Sequence, residues 1–143
     1  MFHDPKALEL ESRIPPEKLD PHQQTEYTFM ASAVRSLNID ISVKKFLTDH
    51  PDGVIVELGC GLETTFYRCH NGQTVFYELD LPEVIEARRT LLPPSDRHIF
   101  LPYSMFDDQW IQSVKDNLNG RAILFVAAGL FYYFEKDRDL ELL

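Results

Sequence analysis

Short apolar runs alternate with stretches of helical periodicity from residue 54 onward. Strands are predicted at 54–58, 74–79, 99–101 and 122–128. Helices are predicted at 62–70, 82–92 and 107–118, with glycine or proline turns between the elements. The last strand is apolar at nearly every position, which is typical of a strand buried on both faces of a parallel sheet. The alternation predicts an α/β fold with a Rossmann-like parallel sheet.

The residues before the first strand divide into a polar arm and a helical region. Residues 1–19 are proline-rich and are predicted to form an N-terminal arm, and residues 20–143 to form the domain. Asp20 followed by proline is typical of a helix start. Apolar residues then recur at helical spacing at Tyr27, Met30, Ala31, Val34 and Leu37. Asp40 is a candidate cap of a second helix, whose buried face would contain Val43, Phe46 and Leu47.

The fourth strand would form an exposed sheet edge if the chain ended at Leu143. An apolar edge strand is prone to aggregation, so it is normally paired or covered. We expect either that further strands follow in a longer chain or that a homo-oligomer covers this edge. The pattern therefore predicts only the N-terminal half of the sheet and an incomplete domain.

The composition and net charge of the chain argue against nucleic acids and membranes as partners. The chain has 143 residues, enough for one domain, and a formal net charge of -9. Nucleic acids and anionic membranes are bound through clustered Lys and Arg, so the acidic balance argues against both. No apolar stretch has the length of a membrane span, and the N-terminus has no signal pattern. Cys60 and Cys69 lack metal-ligand spacing and are predicted to be free thiols, which favours the cytoplasm.

The turn after the first strand contains the sequence Gly59-Cys60-Gly61. Glycines at such a turn allow the backbone to turn sharply and a ligand to approach it closely. The third glycine of a dinucleotide-binding turn is replaced by Thr64, so that pattern is broken. Glu57 lies just before the turn, where a carboxylate would repel a pyrophosphate but could meet the cationic amino or sulfonium end of S-adenosylmethionine. The alternative is that the two glycines only permit the turn.

Asp80 ends the second strand, about twenty residues after the first glycine. A carboxylate at this position can accept hydrogen bonds from both ribose hydroxyls of a nucleoside. Asp80 could also cap the helix that Pro82 opens. Glu78 shares its strand face and is the weaker candidate. The two strand ends together predict a nucleoside cofactor, and the broken glycine pattern favours S-adenosylmethionine over a dinucleotide.

These residues resemble the leucine carboxyl methyltransferase-like family of class I S-adenosylmethionine-dependent methyltransferases. That family includes O-methyltransferases of polyketide biosynthesis. The matching stretches are VELGCGLETTFYR at 56–68, YELDLPEVI at 77–85, SMFDDQW at 104–110 and AGLFYYF at 128–134. The first two are the more specific, because they contain more than a nucleotide-binding fold requires.

The resemblance implies roles for further residues. Arg35 would pair with the methionine carboxylate of the cofactor, although as a sequence feature it also fits a solvated helix charge. Ser104 and Met105 would lie beside the adenine, and Met105 equally fits ordinary core packing. Ala128 stands where the family often has a glutamate, so any contact of that carboxylate is lost. The resemblance also implies that members typically continue through three further strands and a lid, and we expect this sequence to stop short of that region.

The predicted function is S-adenosylmethionine-dependent methyl transfer, to an oxygen of a small molecule or to a carboxylate. A carboxylate acceptor needs no general base, whereas an alcohol or phenol would use one, and His70 and His98 are candidates. Tyr132 and Tyr133 follow the fourth strand and are candidates for the acceptor site; no residue is assigned to catalysis. Two alternatives stay open: a truncated, non-catalytic homologue that binds cofactor weakly or mediates dimerisation, and an NAD-dependent oxidoreductase.

Overall fold

The structure is a computed structural model that describes residues 3–15 and 26–130. The helices are α1 Pro5–Arg13, α2 Glu26–Asp49, α3 Thr65–Cys69, α4 Pro82–Leu91 and α5 Asp108–Leu118. The strands are β1 Val54–Leu58, β2 Val75–Asp80, β3 His98–Pro102 and β4 Ile123–Ala127. All four predicted strands are present and differ from the prediction only at their ends. No described helix combines the length and the apolar character needed to cross a membrane.

The four strands form one parallel sheet in the order β3-β2-β1-β4. This arrangement confirms the predicted α/β, Rossmann-like fold. The chain builds outward from β1 to β3, then crosses to the other side of β1 to form β4. Such a reversal opens a crevice at the carboxyl ends of the strands on either side of it, which here are β1 and β4. The glycine turn after β1 lies at this crevice.

Side chains from successive strand positions pack into two layers, as the alternation of a pleated strand requires. One face packs against α5, and its core includes Val54, Val56, Tyr77, Leu79, Trp110 and Val114. The opposite face packs against α2 and α3, with Val43, Leu47, Ile55, Cys69 and Phe76. A third cluster joins Leu10 of α1 to Ile85 and Leu92 around α4. The helix at residues 5–13 therefore contributes to the core, although this part of the chain was predicted only as an arm.

The region before β1 is one helix rather than two. The structure shows α2 running without interruption over 24 residues, so the prediction that Asp40 caps a second helix is wrong. The Asp40 carboxylate is buried and accepts hydrogen bonds from Arg68 Nε of α3, at 3.0 and 2.9 Å, instead of from backbone amides. The predicted buried residues Val43 and Leu47 do face the core. The predicted helix start at Asp20 lies outside the described residues.

Two apolar surfaces stay open within residues 3–15 and 26–130. No strand in these ranges pairs with the outer side of β4, and Phe125 on that strand is 52% exposed. The α2 positions Tyr27, Met30, Val34, Leu37 and Ile41 are also exposed. They recur at the spacing of a helix stripe, yet the residues of α2 that face the core are Ser36, Asp40, Val43 and Leu47. The sequence correctly predicts a helix at residues 26–37 but does not show which side of it is buried.

Candidate cofactor-binding site

A cavity of about 1440 Å³ opens at the carboxyl ends of the strands, where the crevice was expected. Its described lining residues come from α1, α2 and the segments that follow all four strands. The predicted site residues among them are Arg35, Gly59, Cys60, Gly61, Asp80, Ser104 and Met105. A pocket for a drug-sized ligand is typically about 300–1,000 Å³, so this space exceeds the needs of one such molecule. The fold thus brings most of the predicted residues around one cavity.

The glycine turn and Asp80 are joined directly by a hydrogen bond. The Gly61 N–H donates to Asp80 Oδ2 at 2.8 Å, and the Leu81 N–H donates to Asp80 Oδ1 at 2.8 Å. The Gly59 and Cys60 N–H groups both donate to the carbonyl of Leu79, at 2.8 and 3.1 Å. Each carboxylate oxygen can accept more than one hydrogen bond, so Asp80 keeps acceptor capacity for a ligand. Asp80 does not cap α4 as the alternative supposed, because the N-cap residue is Leu81 and this helix has no side-chain cap hydrogen bond.

The two glycines of the turn differ in what surrounds them. Both have left-handed backbones, with φ of 66° at Gly59 and 46° at Gly61. A Cβ at Gly59 would lie 2.5 Å from Leu130 Cδ1, whereas a Cβ at Gly61 would meet no atom within 4 Å. The left-handed backbone is what favours glycine at position 59, and a Cβ there would also displace the Leu130 side chain. Gly61 presents bare backbone to open space in the cavity, which is the surface a ligand can approach.

The residues assigned through the family resemblance lie on the other walls. Arg35 of α2 reaches the segment after β4, with Nη1 3.2 Å from the place a Cβ of Gly129 would occupy. Ser104 and Met105 follow β3; Met105 is 8% exposed and belongs to the core cluster as well as to the cavity wall. Its backbone carbonyl accepts a hydrogen bond from Trp110 Nε1 at 3.0 Å, which fixes this segment to α5.

Among the residues predicted to bind the cofactor, Glu57 does not line the cavity. Its carboxyl group lies beneath the glycine turn, fully buried, where Thr65 Oγ1 donates to Oε1 at 3.1 Å. Burial raises the pKa of Glu57 to about 8, and the negative charge of Glu78 on the neighbouring strand adds to this shift. Cys60 lines the cavity but is itself buried, and burial raises the pKa of its thiol. Neither group is an ionised, exposed side chain of the cavity wall.

Several other predicted residues lie away from the cavity or beyond the described structure. Tyr132 and Tyr133 lie outside the described residues. His70 and His98 are not among the described cavity residues: His98 is buried beside Glu78, and the His70 ring lies against Phe66 at the end of α3 with a 38° tilt. Ala128 does line the cavity.

Sequence reasoning missed the contribution of α1 to the rim of the cavity. Asp4 caps this helix by accepting from the Ala7 N–H at 2.9 Å. Its other oxygen accepts from Thr64 Oγ1 and Arg68 Nη1, both at 2.5 Å. Burial opposes ionisation of Asp4, but these hydrogen bonds and the Arg68 charge outweigh it and lower the pKa. The signal was present in the sequence, because Asp4 followed by proline is the same helix-start pattern as Asp20 followed by proline.

Comparison with known proteins places the chain in a family. The model of the leucine carboxyl methyltransferase family matches residues 2–143. This chain belongs to the leucine carboxyl methyltransferase family. The chain is also 34% identical over 110 residues to the tetracenomycin polyketide synthesis O-methyltransferase TcmP of Streptomyces glaucescens. That alignment covers 76% of this chain and 40% of the relative.

Family membership confirms the resemblance inferred from the sequence motifs. The chain spans about 40% of the length of the curated relative it matches. The part it contains includes the glycine turn, Asp80 and the walls of the cavity between them. The residues that line this cavity can therefore be considered as part of the binding site of a family member.

Proposed function

We propose that this chain binds S-adenosylmethionine and forms the cofactor-binding part of a methyltransferase that acts on oxygen. The observation that carries the proposal is the 2.8 Å hydrogen bond between the Gly61 N–H and Asp80 Oδ2 at the cavity. It brings bare backbone and a carboxylate acceptor together at two adjacent strand ends. This is where the nucleoside part of a cofactor binds in an open α/β sheet.

The cavity residues fit the chemical groups of that cofactor. The Asp80 carboxylate would accept hydrogen bonds from the ribose hydroxyls, and the open side of Gly61 would allow close approach of the ligand. The guanidinium of Arg35 would bind the carboxylate of the methionine part, because its fork matches a carboxylate in two-point contact. Ser104 and Met105 would lie beside the adenine. When bound, S-adenosylmethionine supplies a methyl group that its sulfonium already activates, so the protein contributes mainly alignment.

The acceptor is proposed to be a small molecule. The cavity volume of about 1440 Å³ leaves room beside a cofactor, and part of its wall is apolar, formed by Leu8, Phe29, Met30, Ala33 and Phe106. The relative that the chain resembles is named as a polyketide O-methyltransferase. A carboxylate acceptor would need no general base. For a phenol or alcohol, His3 is the described histidine that lines the cavity. The two buried free thiols fit a reducing compartment such as the cytoplasm.

The structure gives a specific reason to prefer this cofactor over NAD. Thr64 occupies the position of the third glycine of a dinucleotide turn, and its hydroxyl is engaged with Asp4. In a dinucleotide fold the third glycine allows the helix to pack closely against the strand. Here the buried side chain of Thr64 occupies that position.

Calorimetric titration with S-adenosylhomocysteine tests the proposal. We expect saturable binding to the chain and a loss of about 1.5–3 kcal/mol in Asp80→Ala, which removes charge-assisted acceptors. Asp96→Ala is the matched control, because Asp96 is an exposed carboxylate away from the cavity. Unchanged affinity in Asp80→Ala would remove this residue from the site. Binding of NAD but not of S-adenosylhomocysteine would favour the oxidoreductase alternative, and binding of neither would favour a non-catalytic homologue.

A further inference from the structure

A buried arginine lies directly behind the glycine turn. Arg88 belongs to α4 and is 0% exposed, although arginine is almost never fully buried without partners. Its side chain is bounded by the glycine turn, by Glu78 of β2 and by the ring of Phe100 on β3. The cavity lining does not include it. Arg88 therefore cannot contact a ligand in the cavity, and its burial needs another explanation.

The guanidinium of Arg88 donates hydrogen bonds to two backbone carbonyls of the glycine turn. Nη1 donates to the Gly61 carbonyl at 2.9 Å, and Nη2 donates to the Glu63 carbonyl at 2.8 Å. Since the Gly61 N–H donates to Asp80, both polar backbone atoms of this left-handed glycine are held by side chains. The helix α3 begins at Thr65 and not at the predicted Leu62, and both carbonyls that accept from Arg88 belong to the turn before it.

A second layer orients the guanidinium. Glu78 is 0% exposed and forms an ion pair with Arg88 Nη2. The other oxygen of Glu78, Oε1, lies 2.8 Å from His98 Nε2. The His98 ring stacks on Phe66 of α3, with ring centroids 3.9 Å apart. Glu78, considered from the sequence as a weaker ribose ligand, thus faces Arg88 within the fold and not the cavity.

We propose that Arg88 is a positioning residue that sets the glycine turn for cofactor binding, with Glu78 and His98 as the groups that orient it. Because both polar atoms of Gly61 are held, the turn keeps its bare backbone toward the cavity before any ligand arrives. Preorganisation of this kind raises affinity by removing the entropy cost of ordering the turn on binding. Lysine cannot replace this arginine, since one compact ammonium cannot span two carbonyls and a carboxylate in fork geometry.

The test compares Arg88→Lys with Arg89→Lys, its exposed neighbour on the same helix. Two quantities are measured: the affinity for S-adenosylhomocysteine, and the hydrogen-exchange rate of the Gly61 amide in the unliganded protein. We expect Arg88→Lys to bind about tenfold more weakly, as the loss of a charge-assisted hydrogen bond implies. We also expect faster exchange at Gly61, while Arg89→Lys matches the wild type in both. Wild-type affinity or wild-type exchange at Gly61 in Arg88→Lys would overturn the proposal.

A second variant decides the matter if Arg88→Lys does not fold. Glu78→Gln keeps Arg88 and the size of its partner but removes the charge that orients the guanidinium. We expect weaker binding of S-adenosylhomocysteine and faster Gly61 exchange in this variant, and wild-type values in both would overturn the proposal. The inference depends on the proposed function only through the affinity measurement. If the wild-type chain binds no S-adenosylhomocysteine, the proposed function fails, and Gly61 exchange in the variants still tests whether Arg88 positions the turn.

Discussion

Glu57 lies beneath the glycine turn with its carboxyl group removed from solvent. On β1 it is directly opposite Glu78 of β2, so two carboxyl groups share one buried face of the sheet. Burial is the largest cause of the rise in the pKa of Glu57 from 4.5 to about 8, followed by the charge of Glu78. The positive charge of Arg88 acts in the opposite direction. Glu57 therefore carries a proton in the folded protein over a pH range in which it is ionised in the unfolded chain.

This difference predicts how the stability of the fold depends on pH. Between pH of about 4.5 and about 8 the folded state binds a proton that the unfolded state has released, so the free energy of unfolding falls as pH rises. Glu57→Gln cannot ionise, and its stability relative to the wild type should rise across this range, by about 1.4 kcal/mol for each unit of pKa shift. Urea unfolding at several pH values measures this. Parallel pH profiles for the two proteins would contradict it, and exposed Glu83→Gln is the control.

Residues at strand ends were predictable from the sequence, whereas residues that act from behind the site were not. The position of Asp80 at the cavity is predictable because it ends an apolar run at a fixed distance from a glycine turn. Arg88 and Arg68 lie in helices, where an arginine is ordinarily a solvated charge. Their roles depend in part on contacts with residues 25 or more positions away, such as Glu63 for Arg88 and Asp40 for Arg68. A local sequence pattern does not indicate contacts between residues that are so far apart along the chain.

The helix α1 is held to the body of the domain at both ends, by the Asp4 carboxylate and by Arg13, which donates to the carbonyls of Thr90 and Leu91 at 3.1 and 2.8 Å. Asp4 caps the helix and bonds to Thr64 and Arg68, which lie at the start and within α3. Arg68 is also paired with Asp40 of α2, so a single guanidinium links three helices. Leu10 adds the apolar contact with the α4 cluster. Because α1 lines the cavity, this link bears on the site as well as on the fold.

Removing the carboxylate should loosen the N-terminal end of α1, while Arg13 and Leu10 still hold its other end. We expect Asp4→Ala to lower the free energy of unfolding by about 1–3 kcal/mol, because it loses a helix cap and hydrogen bonds to a charged partner. It should also weaken binding of S-adenosylhomocysteine, since α1 forms part of the cavity wall. Glu9→Ala on the same helix removes pairs with Lys6 and Arg13 that a half-exposed carboxylate makes, and should leave both quantities nearly unchanged. Denaturant unfolding and calorimetry check the two effects, and wild-type stability in Asp4→Ala would show that α1 is not held in this way.

How well each helix or strand could be predicted depends on how clear its local sequence pattern is. The strands were predicted well, because a buried parallel strand is a short apolar run with glycine or proline at its ends. In α2 the pattern was misleading: its apolar stripe from Tyr27 to Ile41 is exposed, and its core-facing positions include Ser36 and Asp40. Aspartate is also a residue type that often caps helices. Only the pairing of Asp40 with Arg68 shows that the helix continues through this position.

The outer edge of β4 is the main open surface of the sheet. Within residues 3–15 and 26–130 its outer backbone groups face no partner strand, and Phe125 is half exposed beside Trp110 of α5. The matched relative extends well beyond the aligned region, which covers 40% of it. Open apolar edges promote pairing with another strand. We therefore expect this chain, by itself, to associate with a second copy through β4.

The mass in solution tests that expectation. The chain should show a mass above the 16.6 kDa of a single copy in sedimentation equilibrium, with a concentration dependence. Phe125→Lys places a charge on the edge strand and should shift the equilibrium toward a single copy. Lys115→Ala, on an exposed position of α5, should not. A wild-type chain that stays at 16.6 kDa at all concentrations would contradict the expected pairing.

If the ends of β1 and β2 form one cofactor pocket, amide NMR during titration with S-adenosylhomocysteine will show it. We expect saturable shifts at Gly59, Cys60, Gly61 and Leu81, whose amides lie in the turn and beside Asp80. Residues on the outer face of α5, away from the cavity, should shift little. Saturable binding that leaves Gly59, Gly61 and Leu81 unperturbed would show that the ligand binds elsewhere and that the two strand ends do not form the pocket.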